Sequence, residues 1–383
     1  MKPPVTSPRR VLHLVGAAED NGGILSTIRG FATGGVGLGW EHVLWMNRAF
    51  VQTRQPRLEC RLAEHALDET PSHLRFLTGA WRAWPELKTL LKHERFDVIH
   101  GHSRGALPLV WWLAKRRQPV LFTNHTYARR VGLYRHAAAT PGLVSVLLTP
   151  NQARHYGIRP EAGRVEIISS CGSDRFFDRE LAVRRPDPSG VVQLVGVGNI
   201  VRWKKWDLLL RAVQGLPETL RRRIRVSLWG PVPSDPDSGR FAAELEAGIR
   251  VSGLGDGFRL MGPTQDVEGV LAAADWFVLP STNEPCSVAL TEALASGLPA
   301  IASASGGNID ILEEGRTGTL FEPDSAESLR GRLIEILEGR WAPVSAQALR
   351  ESVRCRSARV VSRQYAELYG RIANGAAASC RRG

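Results

Sequence analysis

The stretch from Ala274 to Gly307, ADWFVLPSTNEPCSVALTEALASGLPAIASASGG, constrains the fold more than any other part of the chain. Trp276-Phe277-Val278-Leu279 is a short, bounded apolar run, as expected of a strand buried on both faces of a parallel sheet. The turn formers Pro280-Ser281-Thr282-Asn283 follow, then Glu284, Pro285 and a helix from about Ser287. Gly297 falls at the C′ position of that helix, and Pro299 bars its continuation. A second buried strand, Ala300-Ile301-Ala302, leads to Gly306-Gly307. Strand, loop, helix and strand in this order form the unit of a doubly wound parallel sheet.

In such sheets ligands sit outside the carboxyl ends of the strands. A helix N-terminus there offers N–H donors and the positive end of a dipole, which suits a diphosphate or an array of hydroxyls. Glu284 lies at the entry to the helix and Glu292 eight positions on. Paired carboxylates at that spacing are ordinarily just solvated. Here Asn-Glu-Pro precedes and Ala-Ser-Gly-Leu-Pro follows, and the whole closely resembles the E-x7-E signature of retaining GT-B glycosyltransferases of family 4. The resemblance implies that Glu284 approaches hydroxyls of the donor sugar and that Glu292 holds the ribose hydroxyls of its nucleotide. It implies that the backbone of Ser287, Val288, Ala289 and Leu290 touches sugar and phosphates. Cys286 and Ser287 stand where the family often has Phe-Gly, so contacts to the donor differ locally.

A chain of 383 residues is long for one core and suits two α/β domains. No apolar run approaches the ~20 residues that span a bilayer. The start, MKPPVTSPRRVLHLVGAAED, reads as a first strand rather than a signal peptide. Five scattered cysteines without metal-ligand spacing fit a reducing cytoplasm. The net charge of +12 is uneven: residues 1–180 hold 25 Lys and Arg against 15 Asp and Glu, the remainder 25 against 23. A basic first half calls for an anionic partner: nucleic acid, a membrane surface or a phosphorylated acceptor. The cations are spread through an α/β pattern and match no nucleic-acid motif, so nucleic acid is set aside.

Arg10 to Gly16 reads as a strand, followed by a loop and, after Gly22-Gly23, a helix. Two glycines before a helix permit close approach to a phosphate, though most such pairs are tight turns. Family 4 enzymes place a Gly-Gly loop here, facing the reaction centre. Trp40 to Trp45 reads as a second strand, and residues 47–69 are too polar to assign. Residues 76–93 read as helix, with Pro85 marking a kink or a second start. Phe96-Asp97-Val98-Ile99-His100 and Pro119-Val120-Leu121-Phe122 are further strands. DVIHGHS resembles the family's D-x-x-H-x-H segment, which implies that His102 reaches the donor sugar; His100 reads as a structural residue. His125, in FTNHT, matches another histidine common at the next strand's end. Trp81, Trp84, Trp111 and Trp112 among Arg and Lys read equally as an interfacial membrane patch and as core beside a solvated face.

Residues 165–177 resemble the family's inter-domain segment, and RRPDPSG, ending at Gly190, reads as a linker. The segment from Gly198 to Lys205 resembles the family's G-R-L-x-x-x-K-G, whose Arg and Lys clamp the donor diphosphate. Lys204 takes the Lys position, Asn199 stands at the Arg position, and Arg202, three residues on, is the candidate replacement. Asp235-Pro236-Asp237 reads as a turn rather than a metal motif. The expected layout is an acceptor-side domain over 1–183, a linker over 184–190 and a nucleotide-sugar domain over 191–355. A helix over 356–374 crosses back to the first domain, and 375–383 form a disordered tail.

The expected fold is GT-B: two Rossmann-like doubly wound parallel sheets with a cleft between them. The expected activity is retaining transfer of a sugar from a nucleotide diphosphate sugar to an acceptor hydroxyl, with the nucleotide sugar as substrate and neither cofactor nor metal. The basic, Trp-rich half points to a lipid-linked or membrane-proximal saccharide in cell-surface polysaccharide assembly. The protein would then be cytoplasmic, peripheral on the inner membrane. The alternatives are a soluble small-molecule acceptor and an inactive GT-B partner subunit, the latter favoured by Asn199.

Overall fold

The computed structural model of the chain describes residues 8–17, 19–64, 67, 73–181, 190–341 and 344–380. The chain divides into two compact units, Met1–Cys171 with Ala358–Gly383, and Gly172–Ser357. The expected linker at 184–190 lies almost wholly outside the described residues. Residues 172–181, assigned from sequence to the first domain, pack in the second unit. There Gly172 abuts Thr291 and Glu292, Arg175 pairs with Glu268, and Arg350 donates to the Arg179 carbonyl.

The first unit holds a seven-stranded sheet built from β1 (Arg9–Val15), β2 (Trp40–Asn47), β3 (Glu59–Ala63), β4 (Val98–Gly101), β5 (Val120–Asn124), β6 (Leu143–Leu147) and β7 (Val165–Ile167). Their order is β3-β2-β1-β4-β5-β6-β7, with every neighbouring pair parallel. One face buries Leu12, Leu14, Val43 and Phe122 with Ala80, Ala83 and Leu87 of the His73–His93 helix. The other buries Val11, Val15, Leu44 and Met46 under Ile28 and Phe31 of the Gly23–Gly34 helix and Val361, Tyr365 and Leu368 of the Ala358–Cys380 helix. Sheets covered on both faces read as continuous apolar runs, which is why β1 was legible.

β3 was not, because it is an edge strand: Arg61 binds Glu59 and Glu94, leaving no apolar alternation to find. The His73–His93 helix runs through Pro85 as one element. The tail expected to be disordered from 375 is helical to Cys380, in keeping with the high helix propensity of Ala376, Ala377 and Ala378.

The second unit holds β8 (Val192–Val197), β9 (Ile224–Trp229), β10 (Phe258–Gly262), β11 (Trp276–Leu279), β12 (Ala300–Ser303) and β13 (Gly318–Phe321). Their order is β10-β9-β8-β11-β12-β13, again parallel throughout. Trp206, Leu209, Val213 and Leu333 fill the space over β8 and β9. Asp235, read as part of a turn, is the N-cap of the Pro236–Val251 helix, accepting from the N–H groups of Asp237 and Ser238.

Candidate functional site

Each sheet has one place where strand order reverses, and there the loops leaving the carboxyl ends diverge to leave a crevice. In the second unit that place lies between β8 and β11. The loop after β8 turns through the Arg202–Lys204 3-10 helix, and the loop after β11 carries Ser281 to Ser287. The Thr282 N–H donates to the Trp203 carbonyl at 3.2 Å and ties the two loops together. Lys204 Nζ lies 2.9 Å from Glu284 Oε2, with the two residues only 7% and 8% exposed. Ser281 Oγ donates to the same oxygen at 3.0 Å.

Glu284 is held from behind as well. The Gly307 N–H donates to the Glu284 carbonyl at 2.7 Å, and Gly306 has φ 59°. A Cβ on Gly306 would sit 2.4 Å from that carbonyl oxygen, so the Gly-Gly pair permits the close approach. Ser287 caps the Val288–Ala295 helix, accepting from the Leu290 N–H at 3.2 Å. Val288 and Ala289, in its first turn, are partly exposed. Glu292 lies one turn further on, where its Oε1 accepts from the Ser173 N–H at 3.4 Å.

Arg202 goes elsewhere. Its guanidinium forks onto Glu244, with both bonds at 2.9 Å, and lies 3.5 Å from Asp237. The candidate replacement for the missing clamp arginine is thus turned onto the Pro236–Val251 helix, because two carboxylates there offer it a bidentate partner. Asn199 is partly exposed, and its carbonyl accepts from Trp206 Nε1 at 3.0 Å. Sequence reasoning missed Trp203, 46% exposed, whose ring centroid lies 4.7 Å from Lys204 Nζ. It also missed Arg356, which donates to Cys286 Sγ at 3.5 Å and to the Asp310 carbonyl at 2.8 Å. Trp203 adjoins Lys204 in sequence and was within reach; Arg356, 70 residues beyond Cys286, carried no signal.

In the first unit the reversal lies between β1 and β4. The His102 N–H donates to the Leu14 carbonyl and the Gly16 N–H to Ser103 Oγ, which places His102 beside the end of β1. Gly22, with φ 86°, and Gly23 are exposed at the entry to the Gly23–Gly34 helix. His102 is 1% exposed, and both its ring nitrogens meet other imidazoles: Nε2 lies 2.8 Å from His13 Nδ1, and Nδ1 lies 3.2 Å from His125 Nε2. His13 Nε2 continues to His42 Nδ1 at 2.9 Å. Beside this row His100 bonds Tyr369 and Thr123, both at 2.8 Å.

Burial pushes all five imidazoles toward the neutral form. His13, His100 and His102 titrate well below the usual range, from burial first and then from neighbouring imidazoles of the same group of five. Burial lowers His42 to about 4 and His125 to about 3. The nitrogens of His13, His100 and His102 lie within 4.8 Å of one another, close enough to hold a metal ion. Yet His13 and His100 spend both nitrogens on protein partners, so this donor set serves hydrogen bonding as it stands.

The comparisons with known proteins agree with the fold of the two units. The family described as Glycosyltransferase Family 4 matches residues 21–169, and the one described as Glycosyl transferases group 1 matches residues 180–354. A D-inositol 3-phosphate glycosyltransferase of Geodermatophilus obscurus is 32% identical over 291 residues, 67% of this chain. The chain spans 62% of that relative's length. Among solved structures, sucrose-phosphate synthase from Thermosynechococcus elongatus superimposes with TM-score 0.79 at 18% identity, over 95% of this chain and 99% of that one. HepE of Anabaena, in complex with UDP, does so with TM-score 0.71 at 16% identity, over 94% and 99%. The chain belongs to the glycosyltransferases, joining a family 4 first half to a group 1 second half on a GT-B fold.

Proposed function

We propose that the protein transfers a sugar from a nucleotide diphosphate sugar to an acceptor hydroxyl, with retention at the anomeric carbon. The observation that carries the reading is the buried Lys204–Glu284 pair beside the partly exposed first turn of the Val288–Ala295 helix, at the switch point of the second sheet. In the reaction the acceptor oxygen bonds to the anomeric carbon, the bond from that carbon to the diphosphate breaks, and the hydroxyl proton departs. The leaving diphosphate gains charge. Lys204 and the N–H groups of Val288 and Ala289 are the fixed positive groups that would stabilise it. Lys204 is neutralised by Glu284 as the pair stands. A donor whose hydroxyls engage Glu284 would therefore release Lys204 toward the phosphates. Glu292 would hold the ribose.

The acceptor is best read as lipid-linked or membrane-proximal. Leu77 and Trp81, one turn apart on the His73–His93 helix, are 45% and 70% exposed, among exposed Arg75, Arg82, Lys88 and Lys92. Apolar residues flanked by cations suit an anionic lipid surface, and the protein would work from the cytoplasmic side. Among the described residues no helix is long and apolar enough to cross a membrane. A soluble phosphorylated acceptor is the second reading, favoured by the name of the Geodermatophilus relative.

Calorimetric titration with UDP, GDP, ADP and dTDP, on wild type and Glu292→Ala, tests the donor site. One nucleotide bound tightly, and lost in the variant, supports the reading; no binding of any overturns it in favour of an inactive partner subunit. Sedimentation with anionic vesicles separates the acceptors: binding lost in Trp81→Ala and in high salt supports the lipid surface, and no binding at low salt leaves the soluble acceptor.

A further inference from the structure

Four imidazoles from four adjacent strands or strand ends make one continuous row: His42 on β2, His13 on β1, His102 after β4 and His125 after β5. The register brings them together. His13 stands opposite His100 on β4 and beside Leu44 on β2, on the sheet face covered by the Gly23–Gly34 and Ala358–Cys380 helices. His13 and His102 are buried, while His42 and His125, at the two ends, are partly exposed.

A neutral imidazole carries one N–H and one acceptor nitrogen. His13 and His102 use both nitrogens on neighbours, so each must donate on one side and accept on the other. The three bonds therefore share one direction. Either His42 Nδ1–H starts the row and His125 presents Nδ1–H outward, or His125 Nε2–H starts it and His125 presents a bare Nδ1. No third arrangement satisfies every bond while all four rings stay neutral. Placing an extra proton on the row to escape the choice is opposed by burial.

We propose that His42 and His13 act as positioning residues for His125, the imidazole at the partly exposed β5 end of the row. Through His102, these two set whether His125 Nδ1 donates to or accepts from a hydroxyl. His102 is then the relay inside the row. That the hydroxyl belongs to a sugar or acceptor rests on the glycosyl-transfer reading above; the coupling of tautomers does not. Energetically, reversing the row means moving every N–H together, so a partner at one end biases the other without any change of backbone.

The test uses the full chain labelled with 15N-histidine, read by imidazole nitrogen shifts at pH 7.5. Wild type is expected to show His13, His102 and His125 each in a single neutral tautomer, all of one sense. His42→Phe keeps a ring beside Phe31 and Tyr369 but removes the first nitrogen of the row. It is expected to turn the His125 signals into a mixture of tautomers. His42→Asn, whose amide can donate or accept near the former Nδ1, closes the row again and is expected to shift the ratio of the two His125 tautomers away from that of His42→Phe. The reciprocal variant His125→Asn should move the His42 signals, and it reports on the row even if His42→Phe does not fold. In turnover, once a donor is known, His42→Phe should lose about tenfold in kcat at unchanged KM, less than the hundredfold or more for removing an acid–base group itself. His125 signals that ignore both His42 variants would overturn the coupling, as would rings that share nitrogen shifts of a bound metal and change on chelation. An enzyme that proves not to transfer sugar, yet shows the coupled tautomers, would remove the functional reading and leave the row intact.

Discussion

Lys204 and Glu284 are 80 residues apart in sequence and 2.9 Å apart in space, each the main charge partner of the other in a nearly dry setting. Water cannot compensate either charge if the other is removed. Lys204→Met and Glu284→Gln are each expected to cost about 3–5 kcal/mol, read as a lowered urea midpoint of the second unit's transition. The double variant should recover part of that loss, because no buried charge is then left alone. Single variants indistinguishable from wild type would show that the pair is solvated in solution.

Arg202 is expected to contribute nothing to donor binding. Its guanidinium is held by Glu244 and Asp237 at an exposed site. Arg202→Ala should leave nucleotide affinity and melting temperature unchanged in calorimetry. A tenfold loss of affinity would mean that the arginine leaves Glu244 when the diphosphate arrives, so that it does replace the missing clamp residue.

Acid should unfold the first unit early. Burial lowers His42 to about 4 and His125 to about 3, against the ordinary imidazole value of about 6.5. Below pH 6.5 the unfolded chain therefore binds protons that the folded chain refuses, and stability falls as pH falls. The loss runs at about 1.4 kcal/mol per pH unit for each such histidine, down to about pH 4 for His42 and about pH 3 for His125. Melting temperature measured from pH 8 to pH 4 should be flat above about 7 and drop steadily below it. His42→Phe should shallow the drop.

Gly306→Ala is expected to displace Glu284 rather than be absorbed. A Cβ at φ 59° would be strained and would meet the backbone of Glu284, with its N and C at 3.0 and 3.1 Å besides the carbonyl oxygen. The cost should be about 1–3 kcal/mol, with a matching loss of nucleotide binding. Wild-type stability in this variant would show that the loop relaxes freely.

The sequence made the second unit's site legible because its signals are local. Trp276 to Leu279 is an uninterrupted apolar strand, and Ser287 and Gly297 bracket the helix at its two ends, Gly297 with φ 69°. Glu284 and Lys204 could be named one by one, but not as a pair. Their contact depends on β8 and β11 being neighbours, which only the strand order supplies. The histidine row was hidden for the same reason: His13, His42, His102 and His125 lie on four separate segments, and a one-residue slip in β1 would turn His13 to the opposite face. Residues 172–181 were misassigned because the partners that hold them, Glu268, Thr291 and Arg350, come roughly a hundred residues later or more.

The chain leaves the first unit at Cys171 and returns to it only at Ala358. On the ribosome this order imposes a delay. The sheet face bearing Val11, Val15, Leu44 and Met46 is made early, yet Val361, Tyr365 and Leu368, which help to cover it, are made only after the second unit. At ordinary synthesis rates the intervening segment takes roughly ten to forty seconds to emerge. For that interval the nascent protein carries an oily, half-dressed sheet, and protecting it is a task for whatever chaperone meets the chain before the Ala358–Cys380 helix arrives.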